Sequence, residues 1–86
     1  MTYTVVWRPS AERAFAEIWT KAQDRQAVAD AANAVDALLR AAPLEVGESR
    51  GSNVRILTAL PISVYYDVHE DDRLVAVWAV WRVPKR

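Results

Sequence analysis

Apolar and polar positions recur with two different periods along this chain, and the change of period divides it into three stretches. Over residues 2–8 the period is two. Tyr3, Val5 and Trp7 alternate with Thr2, Thr4 and Val6, which predicts a short strand ending at Pro9. Over residues 10–42 the period lengthens to that of a helix. Ala11, Ala14, Phe15, Ile18, Trp19 and Ala22 follow the i, i+3, i+4, i+7 rule, with Ser10 placed as the N-cap. Gln23, Asp24 and Arg25 interrupt the stripe, and Asp24 is positioned to cap a second helix. That helix carries Val28, Ala31, Ala32, Val35, Leu38, Leu39 and Ala42 on one face. Pro43 ends it, because the residue before a proline is pushed out of the helical region. Small alanines on both stripes predict a closely packed helical hairpin.

Residues 44–53 read as a polar loop that holds both glycines of the chain. Three runs rich in β-branched and aromatic residues follow: VRILTAL, PISVYYDV and RLVAVWAVW. HEDD separates the last two as a turn, and Leu60-Pro61 bends the connection between the first two. The expected fold class is therefore α+β, with order β-α-α-β-β-β and residues 1–86 forming a single domain. Two layers result, the helical hairpin packing on one face of a mainly antiparallel sheet. The last strand is anomalous for such a sheet. Leu74, Ala76, Trp78 and Val80 fill one face by strict alternation, and Val75, Val77, Ala79 and Trp81 fill the other. Both faces are apolar and each carries a tryptophan. Either this strand is central with extra cover, or something outside the chain covers it. Val75, Val77, Trp78 and Trp81 are accordingly the candidates for a partner or self-association surface.

Composition narrows the chemistry more than it changes the fold. The chain has 86 residues, no cysteine and one histidine, which removes thiol nucleophiles, disulfides, sulfur-ligated zinc and histidine clusters. No cofactor and no metal are expected. No run is long and apolar enough to span a membrane. The opening MTYTVVWRPS lacks the basic start and apolar core of a signal peptide, so a cytoplasmic protein is expected. Eleven basic side chains balance eleven acidic ones. The balance is uneven along the chain, at −2 over residues 1–49 and +2 over residues 50–86. Arg50, Arg55, Arg82, Lys85 and Arg86 thus suggest a basic edge on the sheet, interrupted by the acids between Asp67 and Asp72. Arginines suit phosphate because the planar guanidinium bonds it bidentately. Arg55 lies inside an apolar strand, where an unpaired charge is costly, so it should face an open surface, an acid or a ligand. His69 beside Glu70, Asp71 and Asp72 reads as a solvated turn residue, and Glu45 and Glu48 as loop charges. No phosphate-cradling glycine loop and no nucleophile elbow occur.

The sequence resembles the RelE/ParE superfamily of bacterial type II toxin–antitoxin toxins over about Thr2 to Arg82. The resemblance rests on VVWRPSAERAFAEIWTKA, AVDALLRAAPLEVGES, VRILTALPISVYYDV and LVAVWAVWR, taken in that order. It implies the two-layer fold read above and a cognate antitoxin as partner. An antitoxin segment laid on the sheet would account for the apolar excess of the last strand. Two activities are implied by the two branches of the superfamily. RelE-like toxins cleave messenger RNA in the ribosomal A site, using basic strand residues with a histidine or tyrosine near the C-terminus. Arg55 and Arg82 match the strand arginines of that set. WRVPKR supplies neither the histidine nor the tyrosine, and Pro84 would spoil further pairing. Tyr65 and Tyr66 lie too early for the role, and Tyr66 reads as a buried structural residue. ParE-like toxins instead poison DNA gyrase by binding it, without a catalytic constellation. The expected function is thus a ParE-like toxin with Arg50, Arg55 and Arg82 toward its target. The alternatives are a ribosome-dependent ribonuclease acting on mRNA, and an inactive homologue serving as an interaction module. A homodimer is a further partner reading.

Overall fold

The computed structural model of the chain describes residues 2–84. Its elements are β1 (Thr4–Trp7), α1 (Pro9–Lys21), α2 (Arg25–Ala41), α3 (Pro43–Val46), β2 (Glu48–Ser49), β3 (Val54–Ala59), β4 (Ile62–His69), a 3-10 turn (Glu70–Asp72) and β5 (Leu74–Arg82). This is the expected α+β order with two insertions, because the stretch read as a polar loop contains α3 and β2. Pro43 explains the first. It stops α2 at Ala41 and then opens α3, where its missing N–H belongs to an orphan position.

Pro9 acts in the same way at the start of α1, so the helix begins one residue before the expected cap. The N-cap position falls on Arg8, and Ser10 sits inside the helix with Oγ donating to the Trp78 carbonyl at 3.1 Å. Asp24 does occupy the N-cap position of α2 but makes no capping bond. The α1–α2 junction is closed by Arg25 instead. Its Nε and Nη2 donate to the carbonyls of Trp19 at 3.0 Å and Thr20 at 2.8 Å in the last turn of α1. Its guanidinium also lies 4.5 Å from the centre of the Trp19 ring. Trp19 therefore leaves the core stripe and stands exposed, as does Leu38 on α2.

The five strands form one sheet in the order β1-β5-β4-β3-β2. β1 runs parallel to β5, and the other pairs are antiparallel. A parallel neighbour requires a long crossover, which everything between β1 and β5 supplies. β5 is therefore central over its first half, which explains part of its double apolar character. Ala11, Ala31, Val35 and Leu39 from the helices pack on Leu57, Ile62, Val64, Val75, Val77 and Val80 to make the core. Trp7 joins it edge-on to Phe15, with ring centres 5.8 Å apart.

Candidate functional site

Cross-strand register sorts the strand side chains into a helix side and an open side. Tyr66 pairs with Val77 and Arg55, and Val64 pairs with Val80 and Leu57, all facing the helices. Tyr65 pairs with Ala79 and Ile56 on the other face. Between Tyr65 and Tyr66 the register slips by one, which leaves Trp78 as an extra residue on β5. This bulge corrects the expectation that each face of β5 carries a tryptophan. It turns Trp78 to the same open side as Trp81. Tyr65 joins both, stacked on Trp78 at 5.1 Å and 17° and tilted against Trp81 at 4.8 Å. Tyr65 was absent from the sequence-derived candidates, because a bulge leaves no mark in a period-two pattern. The same register corrects the status of Val75 and Val77. Both are wholly buried under the helical hairpin, so neither belongs to any docking surface.

Arg55 is paired with backbone carbonyls and a hydroxyl rather than with an acid. It faces the helix side, where Nη2 donates to the carbonyls of Gly47 at 2.7 Å and Leu44 at 3.0 Å. Its Nε donates to the Tyr66 hydroxyl at 3.3 Å, and that hydroxyl donates onward to the Pro43 carbonyl at 2.7 Å. One buried tyrosine and one arginine thus staple α3 to the sheet, as the structural reading of Tyr66 anticipated. Gly47 makes the staple fit. A Cβ at that position would run into the Tyr66 hydroxyl and the Ile56 carbonyl.

Arg82 also lies on the helix side, across from Ile62, and donates Nη2 to Asp24 Oδ2 at 2.6 Å. That hydrogen bond raises the arginine's pKa, partial burial opposes it, and the charge of Asp24 adds to it. Arg50 stands exposed just after β2 with Glu48 3.6 Å away, at the opposite end of the sheet from Arg82. The expected basic edge is therefore not formed by Arg50, Arg55 and Arg82, which the fold scatters to an exposed loop, an internal staple and a helix–sheet clasp. Lys85 and Arg86 lie outside the described residues. His69 closes β4 with Nε2 3.3 Å from Asp67 Oδ1, a buried oxygen that has no partner in hydrogen-bonding geometry. Among the described residues no three histidine or acidic side chains are grouped to hold a metal, and no helix is long and apolar enough to cross a membrane. What remains on the open side is an aromatic surface. Its strand positions carry no lysine or arginine among the described residues.

Solved structures of toxins and toxin–antitoxin complexes share this two-layer fold of a five-stranded sheet with a helical hairpin on one face. The toxin–antitoxin complex RelBE2 from Mycobacterium tuberculosis matches with a TM-score of 0.77 at 17% identity, covering 95% of this chain and 99% of that one. The chromosomal ParDE system from P. aeruginosa matches with a TM-score of 0.75 at 22% identity, covering 95% and 97%. The isolated E. coli RelE toxin matches with a TM-score of 0.65 at 18% identity, covering 98% and 87%. No family model matches the chain, and no curated protein matches it.

Proposed function

We propose that this chain is the toxin of a type II toxin–antitoxin pair, held by a cognate antitoxin, and that it acts ParE-like by binding DNA gyrase. The fold shared with RelBE2, ParDE and RelE structures supports the toxin reading. The choice of branch rests on one observation: both strand arginines point away from the open face and are engaged within the chain. Cleavage of RNA needs a positive group for the charged phosphorane and a general acid for the leaving oxygen, aimed at one point. The open face offers stacked aromatic rings there instead, a surface suited to protein contact. Inducing the chain alone in a bacterial host tests the reading. Filamentation and a DNA-damage response are expected. Transcripts cut at codon positions would transfer the chain to the ribonuclease branch, and unimpaired growth would leave an interaction module.

A further inference from the structure

The helices α1 and α2 pack on one side of the sheet, and no element among the described residues lies over the other. Register places an apolar belt across four strands of that open side. It consists of Val6 on β1, Trp78 on β5, Tyr65 on β4 and Ile56 on β3, with Trp81 packed against Tyr65. Val6 is 40% exposed, and the other four are half-buried. The belt separates two unlike ends. On one side of it Asp67 and His69 lead into the acidic turn of Glu70, Asp71 and Asp72. On the other side Thr58 and Ser63 join hydroxyl to hydroxyl at 2.5 Å. That bond uses one of their two protons and leaves the other to donate outward.

We propose that this face pairs with the same face of a second copy of the chain, about a two-fold axis lying along the belt. The belt carries no charged side chain, and its rings already stack on one another, so it is a flat apolar surface. What matches such a surface is another sheet face, packed about 10 Å away. A two-fold axis makes the match automatic, since each copy offers the other the same patch. Four strands about 4.8 Å apart and up to nine residues long, at about 3.3 Å per residue, give a face of about 550 Å². Two such faces bury about 1,100 Å² in all, the small end of specific interfaces and the size of a reversible dimer. Polar groups fix the orientation. An axis along the strands would set Glu70, Asp71 and Asp72 against their own copies, and like charges repel. An axis along the belt reverses the strands instead. It carries Asp67, two residues beyond Tyr65 on β4, over Ser63 and Thr58 of the second copy, two residues the other way. The carboxylate then has the spare hydroxyl proton within reach. The pairing does not depend on the toxin reading. Where that reading holds, target and second copy compete for one face.

Sedimentation of the purified full chain from about 1 to about 300 µM tests the pairing. Monomer at the low end and dimer at the high end are expected, with a midpoint of about tens of micromolar. Val6→Lys changes an exposed strand position and should raise that midpoint at least about tenfold, with the circular dichroism of the parent retained. Leu38→Lys, equally exposed on α2, should leave the midpoint unchanged. The chain has no cysteine, so single cysteines report orientation through a short thiol cross-linker. Val6→Cys should join two copies, and Glu70→Cys should not. A chain that stays monomeric throughout overturns the pairing, as does a dimer that Val6→Lys leaves intact. Linking through Glu70→Cys in place of Val6→Cys overturns the axis along the belt. A monomer whose tryptophans are shielded only by an antitoxin assigns the face to that partner and overturns the pairing too. A chain that never dimerises yet still traps gyrase refutes the pairing and leaves the toxin reading standing.

Discussion

The Tyr66 hydroxyl donates a hydrogen bond to the Pro43 carbonyl and accepts one from Arg55, so two residues hold three carbonyls of one short turn. Tyr66→Phe should therefore cost about 1–2 kcal/mol in chemical denaturation, one buried acceptor losing its donor. Arg55→Ala should cost more, about 2–3 kcal/mol, because a charged donor leaves two carbonyls behind. If Arg55 instead met a target directly, its removal would spare stability and abolish toxicity. Gly47→Ala should destabilise strongly through the contact with Tyr66, and pairing it with Tyr66→Phe should recover part of the loss. Little of this was legible beforehand. An arginine inside an apolar run announces that it has a partner, but the partner here is backbone carbonyl, which has no sequence signature. Tyr66 was readable as buried because it alternates in phase with Ile62 and Val64.

Among elements, the helices were the most legible, since their stripe has a long period sampled by many residues. Its borders were not. Leu38 and Leu39 are adjacent and chemically identical, yet the first is 40% exposed and the second 0%. Leu39→Ala should cost about 2–5 kcal/mol, and Leu38→Ala less than about 0.5 kcal/mol, in the same unfolding measurement. Comparable losses at both would mean that α2 is rotated from the orientation described. The antiparallel meander of β3, β4 and β5 was legible from turns and alternation, whereas the parallel place of β1 beside β5 was not, and β2 and α3 are too short to show a period. The bulge at Trp78 was illegible for a sharper reason: one inserted residue reverses every assignment beyond it. It also gathers Tyr65, Trp78 and Trp81 into one cluster, so a single Tyr65→Ala change should alter the emission of both tryptophans. Independent responses of Trp78 and Trp81 in single-tryptophan variants would contradict the shared face.

At the scale of the whole molecule, the even balance of charge hides a division between two sides of one sheet. Arg55 and Arg82 serve the helix side, the first as staple and the second as clasp to Asp24, and the open side is left aromatic. Matching these arginines to a family's strand positions carries no information about which side of the sheet they face. Side-chain direction depends on register, and a resemblance at low identity does not carry register. The central claim is that the chain acts by binding, with gyrase as its target. Its most direct test is DNA supercoiling by purified gyrase titrated with the purified chain. The account predicts that supercoiling is lost as the chain approaches equimolar amounts and that cleaved DNA accumulates on the enzyme. Undisturbed supercoiling, with messenger RNA cut on ribosomes by the same preparation, would contradict it.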